Sequence, residues 1–399
     1  MRTGLLLWGA AVVAAAAPAG VQAKGWVRTW QAVPAETVSA TSDGVASRLS
    51  NVTIRMPVRV SAGGTAIRLR LSNELSDTPL PLGPVHVAFA AEDGSVLPGS
   101  DRVVTFAGQQ SPTIAPFAPL VSDAVALQVP ARTRLLVSIH VPGGLSGVSD
   151  HPLGVATTRF GSGDQTGATI ISGSASTTKR YVLSGVDVTG GSAVGTIAAF
   201  GDSITDGFNA TIDADRRWPD VLAARLDRGG KLRFGVINAA ISGNRLLLTG
   251  AGPAALARFD RDVLSVPGVK YVVILEGVND IGSATRDGRP LPTPDTVIGA
   301  YRQMIERAHD KGVKVIGATI LPYKGAGYYG TQGEVVRQAV NAWIRTPGHF
   351  DGVADFDRVT ADRTDPQTIA APYDSGDHLH PGDAGYQAMG QSIDLGLFR

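Results

Sequence analysis

The hydrophobic period of this 399-residue chain changes once, near residue 190, and that change restricts the folds open to it. Before it, apolar and polar residues tend to alternate, as in Val52-Thr53-Ile54-Arg55-Met56, Ile67-Arg68-Leu69-Arg70-Leu71 and Val85-His86-Val87-Ala88-Phe89. Alternation of this kind marks strands with one face buried. Further strands are expected over 124–129, 134–141 and 179–188, with turn residues between them at short intervals and no long helix before 190. The spacing predicts a β-sandwich, jelly-roll-like in outline.

After 190, short apolar runs at 196–200, 234–237, 270–275 and 313–319 alternate with stretches of helical period at 218–228, 253–264, 296–311 and 334–344. Pro219 and Pro253 lie near helix starts, and Gly312 lies just past an end. Buried runs alternating with helices predict a doubly wound α/β sheet, with a fifth strand at 353–356. A chain of this length exceeds one hydrophobic core. The expected division is a β-rich domain over 24–190, with a Ser/Thr/Gly-rich excursion at 161–178, and a second domain over 191–399. Thr189-Gly190-Gly191-Ser192 reads as the link between them.

Residues 1–23 read as a secretory signal peptide: Arg2, an apolar run from Leu5 to Ala17, then Val21-Gln22-Ala23 at cleavage spacing. The run is shorter than the roughly 20 residues of a membrane span. The mature protein is therefore expected to be secreted or periplasmic and free of the membrane. The chain has no cysteine, which excludes thiolate nucleophiles, thiolate metal sites and iron–sulfur clusters. Its 36 basic residues against 35 acidic ones favour no nucleic-acid partner.

In α/β sheets ligands gather beyond the carboxyl ends of the strands. The first strand runs out into Gly201-Asp202-Ser203-Ile204-Thr205-Asp206-Gly207, where Ser203 is either a helix cap or a nucleophile. Near the C-terminus, Asp377-His378-Leu379-His380-Pro381 supplies an imidazole and a carboxylate three residues apart. A serine nucleophile needs both, one to take its proton and one to orient the ring. The second and third strands end in Ala239-Ala240-Ile241-Ser242-Gly243-Asn244 and Glu276-Gly277-Val278-Asn279-Asp280. The Gly243 amide, the Asn279 side chain and the Ser203 amide are the expected oxyanion donors, because they donate without adding a competing charge.

Together these segments resemble the SGNH, or GDSL, hydrolase family. Its four marker residues match Ser203, Gly243, Asn279 and His380, in order and across roughly 194–399, with Ile204 where many members have Leu. The resemblance implies a flavodoxin-like three-layer α/β/α domain and a catalytic triad of Ser203, His380 and Asp377. It also implies an oxyanion hole and no cofactor or metal. The β-rich domain and the opening Trp26-x-x-x-Trp30 resemble secreted bacterial members that remove acetyl groups from plant polysaccharides, including a xylan-associated branch. The expected activity is hydrolysis of short acyl esters, acetyl foremost, on a small ester or an acylated carbohydrate. The rival readings are an acyltransferase to sugar hydroxyls and a polysaccharide-binding protein with an inert hydrolase domain. Oligomeric state is not encoded in these motifs.

His378 is the rival base, but the family resemblance and the following Pro381 favour His380. A metal reading of Asp377, His378 and His380 leaves Ser203, Gly243 and Asn279 without a role. Asp202 and Asp280 are expected to bond nearby amides, Asp206 to cap the turn after it, and Glu276 to be a buried, non-catalytic acid. Trp26 and Trp30 are expected in the core. Tyr323, Tyr328 and Tyr329, after the fourth strand, either shape the pocket or pack the loop.

Overall fold

The computed structural model describes residues 25–173, 175–229 and 233–399. The signal-peptide reading at 1–23 lies outside them. The N-terminal region is built from antiparallel sheets, two of them large. One runs in the order Val27–Gln31, Leu183–Thr189, Gly64–Ser72, Val125–Val129, with Pro119–Val121 also paired to Gly64–Ser72. The other runs Ser176–Thr177, Thr158–Ser162, Val52–Arg59, Arg134–Val141, Val85–Phe89, Arg102–Val104. Ile54, Met56 and Val58 of the second sheet share one core with Ile67, Leu69, Leu71 and Val186 of the first. The alternating residues found this packing because a strand directs successive side chains to opposite faces.

The segment 179–188 is not one strand. Val182 has φ 63°, and its amide bonds the Ser149 carbonyl at 3.1 Å. Arg180–Tyr181 therefore joins a small sheet with Ser149–His151 and Glu36–Thr37, while Leu183–Thr189 joins the large one.

The C-terminal region holds five parallel strands: β1 (Ala193–Gly201), β2 (Arg233–Ala240), β3 (Val269–Leu275), β4 (Lys314–Ala318) and β5 (Gly352–Ala354). Their order is 2-1-3-4-5, with Ile197–Phe200 and Val272–Ile274 fully buried at the centre. The helices are α1 (Ser203–Asp206), α2 (Trp218–Gly229), α3 (Ala255–Phe259), α4 (Val278–Arg286), α5 (Pro294–His309), α6 (Thr331–Arg345), α7 (Phe356–Thr360) and α8 (Asp383–Ser392). Helices α2, α7 and α8 pack on one another, and α3 to α6 form a second group. A 2-1-3-4-5 sheet reverses its winding beside β1, so a crevice is expected at the end of that strand.

Several boundaries moved for local reasons. Helix α5 starts early because Thr293 caps it and Pro294 fits its first turn. Helix α3 starts at Ala255 rather than Pro253 and gives way to a π-turn over Asp260–Leu264. Strand β5 stops at Ala354 because Asp355 caps α7, so Phe356 is helical.

The two regions touch closely. Thr196 Oγ1 donates to the Arg28 carbonyl at 3.0 Å and Gln31 Nε2 to the Asp262 carbonyl at 2.8 Å. Trp30 is core, whereas Trp26 is half-buried beneath the Arg68 guanidinium, 4.5 Å from its ring centroid.

Candidate active site

Strand register decides which loops meet. Gly201 of β1 stands opposite Ala240 of β2 and Leu275 of β3, so three strands end level and their following residues converge. Ser203 is the first residue of α1, not its cap. Asp202 takes that place, its Oδ1 accepting from the Ile204 amide at 2.9 Å. The single turn closes at Gly207, whose φ of 102° a side chain rarely adopts.

Ser203 Oγ lies 2.8 Å from His380 Nε2, and His380 Nδ1 lies 2.7 Å from Asp377 Oδ2. Asp377 Oδ1 also accepts from the amides of His380 and Leu379 at 2.8 and 3.0 Å. Burial alone would raise the Asp377 carboxyl, but the His380 amide and ring and the Leu379 amide outweigh it and hold it below its ordinary value. Burial dominates at His380 and depresses the ring, with Asp377 opposing. His378 is turned elsewhere: its Nδ1 bonds Asp374 Oδ2 at 2.6 Å and its side chain is 56% exposed.

Gly243 has φ 77°, the left-handed turn that glycine accommodates, and a Cβ there would crowd Ala251 at 3.1 Å. Asn279, on the first turn of α4, donates from Nδ2 to the Asn244 carbonyl at 3.0 Å, which ties it to the residue after Gly243. Its Oδ1 accepts from the Tyr328 hydroxyl at 3.2 Å. Asp280 accepts from the Leu246 and Leu247 amides at 2.7 and 2.9 Å, so it braces the loop after Gly243. Asp206 does not cap a turn; it reaches Ser242 and His151 instead.

Below these loops sit three buried carboxyls, Asp202, Glu276 and Asp280. Burial, helped by Asp280 and Asp206, pushes Asp202 up to about 7; burial and Asp202 push Glu276 well above the carboxylate range. Among the described residues no group of three or more His, Cys, Asp or Glu is placed to hold a metal ion.

Three neighbours, Phe208, Asn209 and Arg258, were not legible in the sequence. Phe208 packs on the His380 ring with centroids 4.5 Å apart. Asn209 donates to Ser375 Oγ at 2.8 Å and to Asp377 Oδ2 at 3.2 Å. Arg258 lies wholly buried under the strand ends. Tyr328 covers Gly282, where a Cβ would stand 2.2 Å from its ring. Of the other two tyrosines, Tyr323 is buried, and Tyr329 donates to Gln367 Oε1 at 2.7 Å. Tyr328, together with the Asn244 carbonyl, holds the Asn279 amide in one orientation. Tyr328→Phe is therefore expected to lower kcat on an ester about fivefold at unchanged KM, the worth of one hydrogen bond. Steady-state kinetics checks this, and an unchanged kcat would remove Tyr328 from the site.

A serine, a histidine and an aspartate hydrogen-bonded in line at the switch point of a parallel sheet is the arrangement of a serine hydrolase. Residues 199–388 match the GDSL-like Lipase/Acylhydrolase family. This part of the chain belongs to that family and is an ester hydrolase domain. No curated protein sequence matches the chain. Among solved structures, a GDSL-like lipase from Bacteroides thetaiotaomicron VPI-5482 is 22% identical, with TM-score 0.40, over 51% of this chain and 87% of its own. The native M. smegmatis aryl esterase is 17% identical, with TM-score 0.39, over 49% of this chain and 95% of its own. The acetyl xylan esterase AlAXEase is 19% identical, with TM-score 0.38, over 49% of this chain and 96% of its own.

Proposed function

We propose that this protein is an exported serine esterase that cleaves short acyl esters, acetyl foremost, on a small ester or an acylated carbohydrate. The observation that carries the mechanism is the unbroken line from Ser203 Oγ through both His380 nitrogens to Asp377, with links of 2.8 and 2.7 Å. Ser203 attacks the ester carbonyl while His380 Nε2 takes its proton. The tetrahedral oxyanion is held by the amides of Ser203 and Gly243 and by Asn279. His380 returns the proton to the leaving alcohol, and water repeats the attack on the acyl-enzyme. Export rests on the signal-like start of the sequence, and the small acyl group on the family resemblance together with the β-rich N-terminal region.

The test is hydrolysis of p-nitrophenyl acetate and its longer homologues, alongside acetate release from acetylated xylan. Turnover highest on acetate supports the reading. No turnover on any chain length would overturn it, and acyl delivery to an added sugar in preference to water would turn it toward a transferase. The pH profile is a second check. The base must be neutral, and burial depresses His380. The acid limb of kcat/KM is therefore expected below the ordinary histidine value of about 6.5, with activity retained until pH falls through that lower value. A limb above that value would contradict the burial of the ring.

A further inference from the structure

His151, at the end of the N-terminal strand Ser149–His151, is 5% exposed and lies outside the line of catalytic contacts. Its Nδ1 stands 3.0 Å from the Val33 carbonyl. Its Nε2 stands 2.9 Å from the Leu153 carbonyl and 3.1 Å from Asp206 Oδ1. Backbone carbonyls only accept, so each ring nitrogen must carry a proton. A neutral ring would aim a lone pair at a carbonyl oxygen at hydrogen-bond distance, in an interior that screens the repulsion poorly. Moving a proton onto Asp206 does not remove the conflict, because Leu153 would still face a bare nitrogen. Only an imidazolium satisfies all three contacts.

Its partner ties it to the site. Asp206 is the last residue of the nucleophile turn α1. Its Oδ2 accepts from the Ser242 amide at 3.0 Å and from Ser242 Oγ at 2.8 Å, and Ser242 immediately precedes Gly243. A continuous polar chain thus runs from the β-rich region, through the turn that carries Ser203, to the backbone assigned to the oxyanion.

We propose that the N-terminal region is a working part of the catalytic centre, in which the charged His151–Asp206 pair holds the Ser203 turn and the Ser242–Gly243 backbone in register. His151 is a positioning residue in this scheme. The kinetic part rests on the esterase reading; the charge on the ring does not. The charges around the pair agree with it. Burial alone would lower the ring, but Asp206 and the two carbonyls outweigh it and hold it above its ordinary value. Asp150 on the same strand adds a second carboxylate, itself flanked by Lys179 and Glu36. On the catalytic side Arg217 and Asp202 also feel Asp206. With the folded value raised, the pair's contribution is complete below the unfolded histidine value of about 6.5 and is lost as pH rises through the folded one.

The test uses the whole chain with 15N-labelled histidine and glycine, His151 being assigned through His151→Gln. At pH 7 both ring nitrogens of His151 are expected at imidazolium shifts. His151→Gln is expected to move the Gly243 amide resonance and to lower kcat on p-nitrophenyl acetate about tenfold at unchanged KM; the wild type is expected to lose kcat as pH rises through the His151 value, and the variant is not. Asp206→Asn, which keeps an acceptor for Ser242 but removes the charge, is expected to lower the pH at which His151 titrates. A neutral His151 at pH 7 would overturn the proposal. So would a His151→Gln variant that is merely less stable, with kcat and the Gly243 resonance unmoved. A wild type inert toward every ester would instead sink the esterase reading, and the resonances would still decide the role of the pair.

Discussion

Ser203→Ala is expected to lower kcat on p-nitrophenyl acetate by about 10^6-fold, the scale seen when a characterised serine protease loses its nucleophile. The substitution removes one oxygen at a 6%-exposed position and leaves His380, Asp377 and the donors around Gly243 and Asn279 in place. Substrate binding should therefore survive, and KM should change little. What remains is catalysis by oxyanion stabilisation and positioning alone. His380→Ala is expected to cost about as much, and the double variant no more than either single one, because the two residues act as a unit. Additive losses would mean that Ser203 and His380 act in separate steps. A loss below tenfold would mean that the serine is a structural helix residue and that the nucleophile lies elsewhere.

The α/β sheet was readable because its strands are buried on both faces and so appear as apolar runs, as at Val272-Val273-Ile274-Leu275. What escaped were elements whose cause lies in packing. Helix α4 begins inside the Gly-Val-Asn-Asp motif, where a functional residue occupies the first turn; Asp280 near its start and Arg286 near its end were the available signals. Helix α8 carries Gly385 and Gly390, poor helix formers. A Cβ at Gly390 would stand 2.5 Å from the Val221 side chain, so α8 surrenders propensity to lie against α2. The break at Val182 had no glycine to announce it.

The site divides the same way. Ser203, Asp377 and His380 sit in short motifs, and the roles proposed for them follow from residue type and spacing. Asp202 and Asp280 were expected to bond nearby amides; Asp202 does so at Ile204, whereas the amides Asp280 holds belong to Leu246 and Leu247, 34 and 33 residues away. His151 and Asp206 are 55 residues apart in the chain, and Asn279 and Tyr328 are 49 apart. No local pattern can announce such pairs, since only the level strand ends and the contact between the two regions bring them together.

Arg258→Leu is expected to destabilise the protein by roughly 3–5 kcal/mol, the usual penalty for removing one partner of a buried ion pair. The Arg258 side chain is wholly buried. It donates to the carbonyls of Gly201 at 2.9 Å and Ala239 at 2.7 Å, and to Asn244 Oδ1 at 2.8 Å. It also meets Asp262 at 3.2 Å and Glu276 at 3.4 Å, and its guanidinium carbon lies 4.1 Å from the Phe200 ring centroid. Leucine fills part of the volume but leaves two carbonyls, an amide oxygen and the Asp262 carboxylate buried without it. The check is a lower urea midpoint at unchanged slope. Arg258→Lys keeps the charge but replaces a planar fork by one nitrogen, whose three N–H groups cannot reach oxygens spaced to meet Nε, Nη1 and Nη2 separately. Its midpoint should fall between those of the wild type and the leucine variant. A leucine variant as stable as the wild type would show that the strand ends are held by sheet packing alone. If the arginine holds them, kcat must fall with stability, because Gly201 and Ala239 lead into the loops that carry Ser203 and Gly243.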